Sequence, residues 1–144
     1  MRKTTTITIN EGRDKGKTYK ITEWSCIQTD HWILRAVFGL GKVGVEIPPE
    51  VLQLGAAPIA YAIASQVNKL PSRLGVRLAD ELLQNVERVE ERVTRSLVEN
   101  DIEDISIRFR LRKEVLKLTF GFFDFAASQN SVPASGAPSS NQST

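Results

Sequence analysis

The sequence predicts an α+β fold, mostly α-helical, in which an N-terminal β-hairpin packs on a bundle of about four helices. Three observations carry this. The runs Thr4-Thr5-Thr6-Ile7-Thr8-Ile9 and Thr18-Tyr19-Lys20-Ile21 are β-branched and aromatic, and they flank a polar stretch containing Gly12 and Gly16. Apolar residues then recur at three and four residue steps from Trp32 onward, the period of a helix face. Residues 127–144 are mostly Ser, Ala, Pro, Asn and Gln, with one valine, no aromatic and no charged side chain, a composition that buries too little apolar surface to offset the entropy of ordering. The expected organisation is one globular domain over 1–126, with a hairpin in 1–25, helices in 26–126 and a disordered tail in 127–144.

In the hairpin, Ile7 and Ile9 share one face of the first strand, and Tyr19 and Ile21 share one face of the second, ready for cover by helices. Trp32, Ile33, Ala36, Val37 and Leu40 predict a helix capped at Thr29 and broken by Gly39, Gly41 and Gly44. The alanine-rich stretch through Ile59, Tyr61, Ile63 and Val67 predicts a second helix, beginning near Pro58 and ending at Pro71. Val76, Ala79, Leu83, Val86, Val89, Val93 and Leu97 give the strongest amphipathic spacing in the chain, and predict one long helix. Residues 102–125 fit two patterns. Ile105, Ile107, Phe109 and Leu111 alternate as a strand would, whereas Leu111, Val115, Leu118 and Phe122 fit a helix, which the Arg, Lys, Glu and Leu content of 110–118 favours.

Composition narrows the function. With 41% hydrophobic and 25% charged residues the chain reads as a soluble domain, and a polar stretch after Met1-Arg2-Lys3 argues for a cytoplasmic protein without a signal peptide or membrane span. The single Cys26 excludes an internal disulfide, and with His31 alone there is no paired Cys/His spacing for zinc. No nucleophile, base and oxyanion donor assemble from these residues, so we expect no catalytic residue, no cofactor and no metal. The net charge of +2 is too balanced for general nucleic-acid binding, but it is unevenly spread. Residues 76–106 carry four basic and nine acidic side chains, net −5, and residues 107–126 carry five and two, net +3.

Gly12-Arg13-Asp14-Lys15-Gly16-Lys17-Thr18 invites comparison with a phosphate-binding loop, yet three residues separate its glycines where that loop has four, and a strand rather than a helix follows. A turn with two positive-φ glycines and solvent-facing charges is the expectation. His31 and Cys26 read as ordinary helix and apolar residues, and the acids of 87–104 as a solvated face rather than a calcium loop. Arg108, Arg110 and Arg112, with Lys113, form a basic row that suits polar contact with a partner or a match to the acidic segment, within or between chains. Phe120, Phe122, Phe123 and Phe125 concentrate four of the six phenylalanines in six residues, which either close the core or contact another chain.

The order of these segments resembles the tail assembly chaperones of long-tailed bacteriophages. The resemblance runs through Gly12-Arg13-Asp14-x-Gly16-Lys17-Thr18-Tyr19, Ile21-Thr22-Glu23, Trp32-x-x-Arg35-Ala36 and Gly41-x-x-Gly44-Val45-Glu46-Ile47-Pro48. It continues through Asp80-Glu81-Leu82-Leu83, Asn100-Asp101-Ile102-Glu103-Asp104, Leu111-Arg112-Lys113-Glu114-Val115 and Gly121-Phe122-Phe123, and so spans most of residues 1–126. It implies a non-catalytic, largely helical protein of the bacterial host cytoplasm, absent from the mature virion. Such a protein binds the apolar, helical tape measure protein and helps recruit tail tube subunits, in many cases as a short form beside a longer frameshifted one. On this reading the partner contacts are Phe120, Phe122, Phe123 and Phe125 for apolar surface and Arg108, Arg110 and Arg112 for polar surface, with self-association through the charge split. The alternatives are a structural tail component, such as a terminator or connector subunit, and a small nucleic-acid-binding protein using the basic row.

Overall fold

The computed structural model describes residues 1–121. The expected tail, and with it Phe122, Phe123 and Phe125, lies outside the described residues. Strands β1 (Thr4–Thr8) and β2 (Thr18–Thr22) form the expected hairpin. Then come helices α1 (Cys26–Lys42), α2 (Pro49–Leu52), α3 (Ala56–Ala64) and α4 (Ser72–Glu81), a second hairpin of β3 (Val86–Glu90) and β4 (Val93–Ser96), and helix α5 (Ile105–Phe120). The fold is thus α+β with a predominance of helix.

The long helix expected across Val76 to Leu97 stops at Glu81. The chain turns through Leu82 to Asn85, and β3 adds antiparallel to the open edge of β2, pairing Thr18 with Val89 and Ile21 with Val86. The sheet order is β1-β2-β3-β4. An edge strand that offers unpaired N–H and C=O groups is a stronger partner for this segment than a solvated helix, and it overrides the three-and-four spacing of the valines. Residues Cys26 to Glu81 are therefore a helical insertion between two neighbouring strands.

The register places Ile7, Tyr19, Ile21, Val86 and Arg88 on one face of the sheet, and α5 lies against β2. Ile107, Leu111 and Val115, four residues apart on α5, are buried in one cluster with Tyr19, Ile21, Val86, Trp32 and Leu40. The opposite face of the sheet presents threonines, Lys20 and Glu87 to solvent, as an antiparallel sheet covered on one side does.

Helix α1 is capped at Ser25, four residues before the expected cap at Thr29. Ser25 Oγ accepts from the Gln28 N–H at 3.2 Å while Gln28 Oε1 accepts from the Ser25 N–H at 3.1 Å, a reciprocal capping box. Gly39 and Gly41 do not break the helix. It ends at Gly44 (φ 86°), where the Val45 N–H reaches Leu40 O at 2.9 Å and the Gly44 N–H reaches Gly41 O at 3.1 Å, a Schellman termination. Gly39 instead admits α4: a Cβ there would collide with the Leu74 side chain. Pro71 does not end the alanine-rich helix, which stops at Ala64, but precedes the first turn of α4.

Candidate partner-binding site

The turn between β1 and β2 is a lock rather than a ligand loop. Gly12 and Gly16 take φ of 84° and 87°, as expected, but the Asp14 between them is fully buried, where its charge was expected to face water. Its carboxylate accepts from Lys17 Nζ at 2.8 Å and from the backbone N–H groups of Glu103 and Asp104 at 3.0 and 2.9 Å. Burial alone would raise the carboxyl, and these donors together hold it below its ordinary value. Lys17 also donates to Asp101 O at 3.3 Å, and Tyr19 Oη to the same oxygen at 2.6 Å.

Asp101 is the second buried acid. Its oxygens accept from both terminal nitrogens of Arg95 at 2.7 and 2.8 Å, from Arg88 Nη1 at 3.3 Å and from the Val98 N–H at 2.7 Å. Arg88 and Arg95 face each other across β3 and β4, a like-charge pair that Asp101 neutralises. Hydrogen bonding from Arg95 brings the Asp101 carboxyl down to about 2, while burial pushes the Tyr19 phenol up to about 12. With every oxygen of both acids engaged, the cluster has structural work and no free donor set for a ligand.

The basic row divides. Arg108 Nη2 and Arg112 Nη2 reach Asp80 Oδ1 on α4 at 3.2 and 3.6 Å, and Arg112 Nε donates to Ala79 O at 3.1 Å, so the acidic and basic segments meet within one chain. Arg110 is exposed. Phe120 is 4% exposed and packs against Trp24 and Trp32, with ring centroids 6.2 and 5.5 Å away, so it belongs to the core. His31 and Cys26 are exposed on α1. Among the described residues no three His, Cys, Asp or Glu side chains are placed to hold a metal ion, and no helix is long and apolar enough to cross a membrane.

Among the described residues, two apolar features bear on partner binding. The first is a partly open cavity of about 260 Å³ between α1, α3, α4 and α5, lined among others by Trp32, Ala60, Ile63, Leu78, Leu82 and Leu116. The second is the outer side of α1. Its inner side buries Trp32, Ala36 and Leu40, yet Ile27, Leu34 and Phe38, spaced by seven and four residues on the opposite side, are 68%, 38% and 65% exposed. Phe38 leads into a groove of about 580 Å³ between α1 and the start of α4, lined also by Arg35, Lys42, Arg73, Leu74 and Arg77. Arg35 is paired with Glu81, and among the described residues no acidic side chain lines the groove.

Sequence reasoning passed over this stripe because the buried set on α1 already satisfied the helical period. The available signal was a second apolar set, Ile27, Leu34 and Phe38, which makes the helix apolar on two sides, unlike a surface helix with one buried face. Compared with protein-family models, curated proteins and solved structures, the chain gives no match.

Proposed function

We propose that the protein is a non-catalytic tail assembly chaperone of a long-tailed bacteriophage that binds the tape measure protein. The observation that carries the reading is the doubly apolar α1. An exposed stripe of Ile27, Leu34 and Phe38 running into a basic groove suits a long helix that has apolar residues at seven and four residue spacing and acidic flanks. A tape measure helix without its tube exposes such a surface, and covering it keeps the helix from aggregating. The reading is supported further by the segments that carry the resemblance. Gly12 to Tyr19 and Asn100 to Asp104 are far apart in sequence and meet in one buried network, so they fix this fold as a unit.

Tail tube recruitment and self-association then fall to other surfaces, among them the exposed acids Glu90, Glu91, Glu99 and Glu103. A nucleic-acid role is disfavoured, because Arg108 and Arg112 are already paired to Asp80. Work in the host cytoplasm and absence from the finished virion follow from the same proposal. Its test is co-expression with the tape measure protein of its own phage: the tape measure becomes soluble and co-purifies with the tagged chaperone. A tape measure that stays insoluble and a chain recovered in purified virions would instead favour a structural tail component.

A further inference from the structure

The outer side of α5 lies away from the sheet. Ile107, Leu111 and Val115 bury the inner side, and Arg108 and Arg112 reach sideways to Asp80 on α4. What α5 leaves exposed is Ile105, Ser106, Phe109, Arg110, Lys113 and Lys117. Ile105 and Phe109, one turn apart, are 63% and 60% exposed, and the Arg112 guanidinium lies 5.5 Å from the Phe109 ring centroid, which steadies the ring in its outward position. Every exposed charge on this helix is basic. The segment leading into it is the reverse: over 98–104 the exposed residues are Val98, Glu99, Asn100 and Glu103, and both of their charges are acidic.

This surface is therefore polarised along its length, acidic before Ile105 and basic after Phe109, with two exposed apolar side chains between. Along the axis Ile105 and Phe109 are about 6 Å apart, and Arg110 and Lys113 lie about 5 and about 9 Å beyond their midpoint, with Glu103 and Glu99 on the other side of it. Such a surface complements itself when turned about a two-fold axis at that midpoint: Ile105 meets Phe109 of a second copy, and the bases of each copy face the acids of the other. A parallel arrangement would set bases on bases. An anionic membrane or a nucleic acid would be drawn to Arg110, Lys113 and Lys117 but repelled by Glu99 and Glu103, so a second copy of this chain fits both halves where they do not.

We propose that two copies of the chain pair through the outer side of α5, antiparallel about a two-fold axis between Ile105 and Phe109. Phe109 is the central anchor, and the charges at the two ends set the orientation. The α1 stripe, on another helix, takes no part in this contact. The pairing does not depend on the chaperone reading, because it forms or fails in the purified chain without any tape measure protein.

Sedimentation of the full chain, under reducing conditions that keep the exposed Cys26 from bridging copies, should show a monomer–dimer equilibrium. Its dissociation constant should rise several-fold between about 0.05 and about 0.5 M salt, because the facing charges are screened. Phe109→Ser, with unchanged circular dichroism, should weaken the dimer at least tenfold. A chain carrying Arg110→Glu and Lys117→Glu is acidic on both halves, and one carrying Glu99→Lys and Glu103→Lys is basic on both. Each alone should stay monomeric, while a one-to-one mixture pairs. Glu103 also stands 3.8 Å from Lys17, so Glu99→Lys alone replaces the second chain if the double change disturbs the fold. A parent that is monomeric at the lower salt concentration, whether or not it binds anionic vesicles, would overturn the proposal, as would a dimer indifferent to Phe109→Ser or a mixture that does not pair.

Discussion

The carboxylate of Asp14, at the centre of a tight turn, accepts a hydrogen bond at 2.9 Å from the backbone N–H of Asp104, ninety residues away. That bond and its neighbour from Glu103 fasten the first hairpin to the start of α5. Asp104 in turn caps the helix by accepting from the Ser106 N–H at 2.9 Å. A turn that resembles a phosphate loop thus places its own carboxylate on backbone N–H groups, where an anionic ligand would otherwise have to be supplied.

Replacing Asp14 tests this lock. Asp14→Asn removes the charge that Lys17 faces and turns an amide donor toward N–H groups that need acceptors. It should lower stability by about 2–3 kcal/mol in urea unfolding. Glu11→Gln, an exposed change in the same turn, should leave the midpoint within experimental scatter.

Acid should weaken the fold in a defined window. Asp101 is brought to about 2, first by the Arg95 hydrogen bonds, and Asp14 is also held below its ordinary value. Between about pH 4 and pH 2 the unfolded chain binds protons that the folded carboxylates do not, so their stabilisation is complete above about pH 4 and is lost as pH falls. Asp101 alone accounts for about 2 kcal/mol of that loss. Urea midpoints measured from pH 5 down to pH 2.5 should fall steeply in the parent and more shallowly in Asp101→Asn, which is already destabilised at pH 7. Parallel slopes would contradict the assignment.

The glycines of α1 should separate by what lies beside them. Gly39→Val must push Leu74 aside, parting α1 from α4 at a cost of about 2–3 kcal/mol. Gly41→Ala meets nothing within 4 Å and should gain a few tenths to about 1 kcal/mol through helix propensity. Thermal unfolding of the two variants distinguishes these signs.

Local chemistry made the first hairpin and α5 legible: β-branched strands around positive-φ glycines in one case, and straight-chain residues that favour helix over residues 110–118 in the other. The β3-β4 hairpin was hidden for two physical reasons. Val86, Val89 and Val93 fall at helical spacing, and the tight turn carries Glu91 at φ 53° where a glycine or asparagine would have announced it. The burial of Asp14 depends on donors at Glu103 and Asp104, which no local window contains. Of the expected partner-contact residues, Phe120 proved to be core and Arg108 and Arg112 bridge to α4, because each meets a neighbour from a distant segment. The α1 stripe stood in the sequence as a second apolar set, but only the packing of Trp32, Ala36 and Leu40 shows which of the two sets is left outside.

Phe38 is the residue on which the partner should be found. A photo-crosslinking amino acid placed at position 38, with the same group at position 93 on β4 as control, should be co-expressed with the tape measure protein and irradiated in cells. The account predicts a crosslinked adduct of the two proteins from position 38, weakened by Leu34→Ser, and none from position 93. A complex that co-purifies while position 38 stays uncrosslinked would contradict the placement of the partner on α1, and absence of any complex would contradict the function itself.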